Sequence, residues 1–364
     1  MDTSDPEITF DERGNCNHCN EYLAVRAKYK YQGSCSDLAL DRLVKTIKDA
    51  GRGNKYDCIV GMSGGVDSSY AAYLSKTLGL RPLAVHMDNG WDSEQAVVNI
   101  KKITDKLEID YESYVLDWEE FKDLQLSFLK ASVPEAETPT DVAIPVALHH
   151  FAAKYNIKYI INAGNLVTEG ILPKSWHYNA RDIKYFRHLQ RTFGRKSLRN
   201  FQNYDVKTEF YFKLIKGIRM VYPLNFVSFK QEDALKLLSE KFDYTYCGQK
   251  HYESRYTKFI HSYYLYRKFG IDYRRATFSS QICNKHVTRT FAIEQLETKP
   301  YCETWVNEEK YYISKKLGIC IEELERIMAL PPKWYWDYPN GDVKLRYIYN
   351  AYRKLFKKEK LASV

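Results

Sequence analysis

The stretch "CIVGMSGGVDSSYAAYL", Cys58 to Leu74, constrains the fold more than any other part of this 364-residue chain. An apolar run of strand length stops at a Ser-Gly-Gly turn, and a helix of small residues starts at once. A buried strand that feeds a helix through such a turn is the repeating unit of a parallel sheet covered on both faces. Gly64 and Gly65 allow the turn and let the backbone approach a ligand with no Cβ in the way. The N–H groups at the start of the helix then present partial positive charge, which makes the turn a phosphate site. Ser63, Ser68 and Ser69 add hydroxyl donors, and Asp67 is placed to cap the helix or to help hold Mg²⁺. The loop lacks the lysine with which a Walker A loop wraps terminal phosphates. It therefore reads as a grip on pyrophosphate as a leaving group, with the α-phosphate open to attack. An ordinary strand-to-helix turn is the bland alternative, and the serine-rich pattern argues against it.

Alternation of the same kind runs on along the chain. "YDCIVGM" (56–62), "RPLAVHM" (81–87), "YESYVLD" (111–117) and "IKYIINA" (157–163) read as strands, with "IRMVYPLNFV" (218–227) as a fifth. Helices are predicted over 36–53, Asp67–Leu78, Gln95–Leu107, 118–131, 141–155 and Gln231–Phe242. The fold class is therefore α/β, a doubly wound parallel sheet. Residues 1–35 are polar with little periodicity and read as an irregular, Cys-containing lobe. Residues 36–245 hold the nucleotide domain, with a basic helical insertion at about 174–217, and residues 246–364 are mostly helical, aromatic and basic. The end, "RKLFKKEKLASV", reads as a frayed, solvated tail.

The net charge of +9 sits mainly in the insertion, where eleven Lys/Arg face three Asp/Glu between Arg181 and Arg219. Arg181, Lys184, Arg187, Arg191, Arg195 and Arg199 recur at helical steps with aromatic residues between them, and Gly194 is the expected break. The face is a solvated one, a dock for an acidic partner or a nucleotide-linked sugar, or a grip on tRNA phosphates. No apolar run has the length of a membrane span, and the start carries no hydrophobic signal segment, so a cytoplasmic protein is expected and no membrane partner. Reduced thiols are then expected for the eight cysteines. Cys16 and Cys19 form a C-x2-C knuckle that supplies two ligands toward a structural Zn²⁺, with two free thiols as the alternative.

The nucleotide loop resembles the PP-loop of the N-type ATP pyrophosphatases, a superfamily with an adenine nucleotide alpha hydrolase-like (HUP) fold. By that resemblance "HMDNGW" (86–91) places His86, Met87 and Asp88 along the adenine, and "AGNLVTEG" (163–170) places Gly164 and Asn165 over the phosphates, with Glu169 as a Mg²⁺ ligand. A narrower similarity runs nearly end to end. "DTSDPEITFDERGNCNHC" (2–19), "HMDNGWDSE" (86–94), "DWEEFKDLQLSFLKASVPEAETPTD" (117–141), "TEGILPKSWHYN" (168–179) and "KHYESRYTKF" (250–259) are similar to the N-acetyl sugar amidotransferases of the WbpG/PseA type. The resemblance implies an ATP-dependent conversion of an acetamido to an acetamidino sugar for O-antigen or flagellin glycans. Lys174, Lys250, His251, Glu253 and Arg255 are then candidates to hold the phosphates or the sugar, and His251 or Glu253 to deprotonate ammonium. It also implies a separate HisH-like glutaminase subunit as the ammonia source, because the single α/β unit is already taken. Relatives carry a further C-x2-C just before "MDTSDP", so either the start lies downstream of that pair or the metal site has decayed. Nucleic acid is not the expected partner. A tRNA-modifying PP-loop enzyme, thiolase or lysidine-synthase type, is the alternative, and it predicts a cysteine beside the nucleotide loops. A non-catalytic nucleotide-binding module is the third reading.

Overall fold

The computed structural model describes residues 1–28, 34–248 and 250–356. The expected tail therefore lies, from residue 357 onward, outside the described residues. Five strands, β1 (Cys58–Gly61), β2 (Pro82–Asp88), β3 (Tyr111–Val115), β4 (Tyr159–Ile161) and β5 (Arg219–Val221), form one sheet in the order β3-β2-β1-β4-β5. Every neighbouring pair is parallel. Chain order therefore reverses between β1 and β4, and the crevice beyond their carboxyl ends is where such sheets bind ligands.

Both faces of the sheet are covered, as the apolar strands require. Alternate residues divide between the two sides. Cys58, Val60, Ala84, Tyr159 and Ile161 pack with α3 (Val66–Thr77), α4 (Glu94–Leu107) and the helix Gln231–Phe242. Ile59, Leu83, Val85 and Ile160 pack instead against Leu148, Phe151 and Ala152 of α6 (Thr138–Lys154). A third apolar cluster joins α5 (Trp118–Lys130), the basic insertion and the C-terminal helices around Trp91, which is fully buried and stacks on Tyr256 at 5.0 Å.

Several boundaries differ from expectation. The fifth strand stops at Val221 because Pro223 opens a 3-10 turn over Pro223–Phe226. α6 begins at Thr138 rather than 141, with a proline in its first turn, a position where the missing N–H costs nothing. The N-terminal lobe is not wholly irregular: α1 (Asn17–Lys28) begins inside the knuckle, carries Cys19 and buries Tyr22, while α2 (Ser34–Ala50) follows. In the insertion, α8 (Ile183–Phe193), which follows the one-turn α7 (Leu166–Glu169), ends at Gly194 as expected. The chain then wraps α5, where Arg195 and Lys196 N–H groups donate to Asp123, and Arg199, Asn200 and Phe201 N–H groups donate to Glu120. Arg195 and Arg199 therefore leave the helical row. Among the described residues no helix is long and apolar enough to cross a membrane.

Candidate active site

The loop after β1 turns at Gly64, whose φ of +79° suits glycine and whose missing Cβ would stand 2.5 Å from the Ala96 carbonyl oxygen. The Gly64 carbonyl is held by the Tyr244 hydroxyl at 3.0 Å. Gly65 is the N-cap of α3, and no side chain caps it, so the first-turn amides remain available to an anion. The Ser63 hydroxyl lies 3.1 Å from Ser68 Oγ and donates to Glu253 Oε1 at 3.1 Å. Ser69 Oγ is buried with no partner.

Position 250 supplies the cation that the loop lacks. Lys250 Nζ lies 3.1 Å from Asp67 Oδ2 and 2.7 Å from Glu169 Oε1, and it donates to Thr168 Oγ1 at 2.5 Å. Burial alone would lower the Lys250 pKa, but the two carboxylates hold it above its ordinary value. Burial raises the Asp67 carboxyl against the pull of Lys250. Asn165, the N-cap of α7, accepts the Thr168 N–H and donates to Asp67 Oδ2 at 3.1 Å. Asp67 Oδ1 is buried without a partner, and Glu169 is the other carboxylate at this point. That pair fits Mg²⁺, which binds through one or two carboxylates and completes its shell with water and phosphate. Among the described residues no group of three or more His, Cys, Asp or Glu side chains is arranged to hold a metal alone.

These residues open on a cavity of about 480 Å³ at the switch point between β1 and β4. Ser63, Gly65, Asp67, Ser68, His86, Met87, Gly164, Glu169, Lys250, His251 and Glu253 all line it. Gly64, Ser69 and Asn165 stand behind the wall as supports. His86 receives opposing influences, burial downward and the Asp92 carboxylate at 3.0 Å upward, and the latter prevails. Glu253 is pushed up to about 7 by burial, and His251 down to about 3, also by burial. The segment carrying both is tied to the loop after β2, since Ser93 N–H donates to the Glu253 carbonyl at 2.8 Å and Arg255 N–H to that of Trp91 at 2.9 Å.

Three expected residues lie elsewhere. Asp88 closes its own turn by accepting the Gly90 N–H at 2.8 Å. Lys174 opens a 3-10 turn that buries Trp176 and leaves the lysine exposed, outside the cavity wall. Arg255 turns away to Glu309, with Nη2 at 2.6 Å from its carboxylate, and stacks over Tyr312 at 3.5 Å. In the N-terminal lobe, Cys16 Sγ and Cys19 Sγ lie 3.3 Å apart, and Cys283 joins them through a thiol hydrogen bond that raises the Cys19 pKa.

The cavity also takes in residues that the sequence reading missed: Glu137, Thr140, Asp141, Cys247, His261 and Tyr273. The only sequence signal for the first three is their shared spacing on one helical face. Cys247 brings to the cavity a cysteine such as the thiolase alternative predicts, and burial, followed by the Glu253 charge, raises its thiol pKa.

Residues 253–355 match the family described as LPS biosynthesis protein WbpG-like, C-terminal domain, and residues 39–132 match NAD synthase. No curated protein matches the chain. Among solved structures, NMN synthetase from Francisella tularensis is 14% identical over 75% of this chain and 93% of its own, with a TM-score of 0.39. The U34-tRNA thiolase NcsA from Methanococcus maripaludis is 16% identical over 83% of each chain, with a TM-score of 0.33. The NH3-dependent NAD synthetase from Campylobacter jejuni is 17% identical over 37% of this chain and 59% of its own, with a TM-score of 0.29. At that distance these three likenesses carry no argument about activity.

Proposed function

The chain is a WbpG-like member of the PP-loop ATP pyrophosphatase superfamily, an ATP-using synthetase of the amidotransferase type, and we propose that it turns the acetamido group of a sugar into an acetamidino group. The observation that carries this reading is the lysine-free loop with Lys250 brought beside it through Asp67, which supports a role for that cation at a departing pyrophosphate. In this reading the amide oxygen attacks the α-phosphorus of ATP and pyrophosphate leaves. The α3 amides with the Ser63 and Ser68 hydroxyls hold the departing group, and Lys250 offsets its growing charge. Mg²⁺ at Asp67 and Glu169 would neutralise phosphate charge. Ammonia then adds to the imidate carbon, and AMP departs as the carbon–oxygen bond breaks. Glu253, with a pKa of about 7, is matched to take the proton that ammonium must lose.

Ammonia is proposed to come from a separate glutaminase subunit. The exposed row of Lys184, Arg187 and Arg191 on α8 offers that subunit a cationic dock. The test is pyrophosphate release from ATP by purified protein with ammonium chloride, using N-acetylglucosamine, UDP-N-acetylglucosamine or tRNA as acceptor. Release with either sugar is expected; release only with tRNA would falsify the sugar reading.

A further inference from the structure

One wall of the cavity carries none of the residues assigned above to the nucleotide. On α6, Thr140, Asp141, Ile144 and Leu148 follow Glu137 at steps of three, four, seven and eleven, so that all five lie along one face of the helix. All five line the cavity. The stripe starts beside the sheet, where Leu148 sits against Gly61 at the end of β1. It ends at Glu137, whose Oε2 accepts the Thr257 hydroxyl at 2.8 Å. The face therefore runs from the nucleotide loop's own strand out to the C-terminal region.

Two of its polar atoms are left without partners. Glu137 Oε1 and Thr140 Oγ1 are both shut off from solvent and make no hydrogen bond. Buried oxygens in that condition are costly unless something supplies donors to them. Pro145 lies inside the helix and has no N–H to give the Asp141 carbonyl, so the helical ladder lacks one bond on this turn. Asp141 itself is exposed within the cavity, and beside it Ile144 keeps 40% of its surface open although it is apolar. The wall thus offers several acceptors, one hydroxyl and one bare hydrocarbon patch.

We propose that the stripe Glu137, Thr140, Asp141 and Ile144 is the acceptor subsite, and that it takes an uncharged polyhydroxylated ring through its hydroxyl donors, with an acetamido methyl on Ile144. The proposal rests on the sugar reading above and deepens it. Oxygen acceptors in this number suit a ligand rich in O–H groups, and the open isoleucine suits a methyl. A phosphate is disfavoured on this wall, because the Asp141 carboxylate would face it with no lysine or arginine on the stripe. Burial does push Glu137 up to about 8, so that it can also donate a proton to a ring oxygen.

The experiment is saturation-transfer NMR with N-acetylglucosamine and UDP-N-acetylglucosamine on the full chain, with ATP affinity measured in parallel by calorimetry. Transfer is expected from the ring and acetamido protons of both probes. Thr140→Val, a shape-conserving change, should weaken the sugar about fivefold and Asp141→Asn at least tenfold, while ATP affinity stays within twofold. Glu137→Gln, which mimics the protonated acid, should bind like the wild type, whereas Glu137→Leu should not. Sugar affinity unchanged in Thr140→Val and Asp141→Asn, or no transfer to a wild-type protein that binds ATP, overturns the subsite. Transfer confined to the uridine protons overturns it as well. A wild-type protein that does not bind ATP overturns instead the nucleotide reading beneath it.

Discussion

At the residue scale, the site depends on the placing of one ammonium. Lys250 is held by Asp67, Glu169 and the Thr168 hydroxyl, three partners drawn from α3 and α7. Its charge is most useful when pyrophosphate departs, so its removal should fall on the chemical step. Lys250→Met is expected to slow single-turnover pyrophosphate release about 10²–10³-fold, the loss typical of one preorganised charge-stabilising donor. A smaller change is expected in ATP affinity, measured by calorimetry, and an equal loss in both would contradict the assignment. Glu253 gives a second test with a definite sign. A base acts when deprotonated, and burial places this carboxyl at about 7. The rate with ammonium should therefore climb as pH rises toward 7, after correction for the free ammonia fraction, and level off above it. Glu253→Gln should flatten that profile and lower its plateau about 10²-fold. A variant that keeps the wild-type slope would remove Glu253 from the proton path.

At the element scale, the β1–α3 turn is where backbone and ligand chemistry coincide. Gly64→Ala places a methyl 2.5 Å from the Ala96 carbonyl oxygen at a φ of +79°, so either the loop or α4 must move. The strained backbone alone costs about 1–3 kcal/mol. A lower Tm is expected together with loss of ATP binding, and a variant that binds ATP normally would show that the turn tolerates a shift. This element was fully legible in the sequence, because apolar run, glycines and small-residue helix lie within Cys58–Leu74 and need nothing remote. The same holds for the order of strands and helices around it. Legibility failed where neighbours in sequence diverge in space. Within "KHYESR", Lys250, His251 and Glu253 reach the cavity, whereas Arg255 opens the next helix and faces Glu309. Lys174 is lost to the site in the same way, since its turn is oriented by burying Trp176. The α6 stripe was missed because three polar residues at helical spacing look like any solvated face until the C-terminal region roofs them over. α1 was missed because its apolar residues, Tyr22 foremost, form no periodic face.

At the scale of the whole molecule, the catalytic set is assembled from distant parts of the chain. Glu253 meets Ser63 across 190 positions, and Lys250 meets Asp67 across 183. Only the C-terminal region, folded against the loop after β2, can hold that junction. Within that region Arg255 is tied to Glu309, a bidentate pair whose glutamate is 6% exposed and whose guanidinium covers Tyr312. Removing the arginine leaves a buried carboxylate without its counter-charge. The full penalty for such a loss is about 3–5 kcal/mol, and it is discounted here to about 2–3 kcal/mol because Arg255 is itself partly open to water. The Arg255 side chain does not line the cavity, yet its N–H, two residues beyond Glu253, bonds to Trp91 in the loop after β2. Arg255→Met is therefore expected to lower Tm and, separately, to slow pyrophosphate release by loosening Glu253 and Lys250. The double change Arg255→Met with Glu309→Leu removes the stranded charge and should recover most of the Tm. Recovery of stability without recovery of rate would assign the pair a positioning role, and recovery of both would assign it stability alone. A single variant with unaltered Tm would show that the segment after Glu253 is held to the helix carrying Glu309 chiefly by the apolar packing around Trp91 and Tyr256.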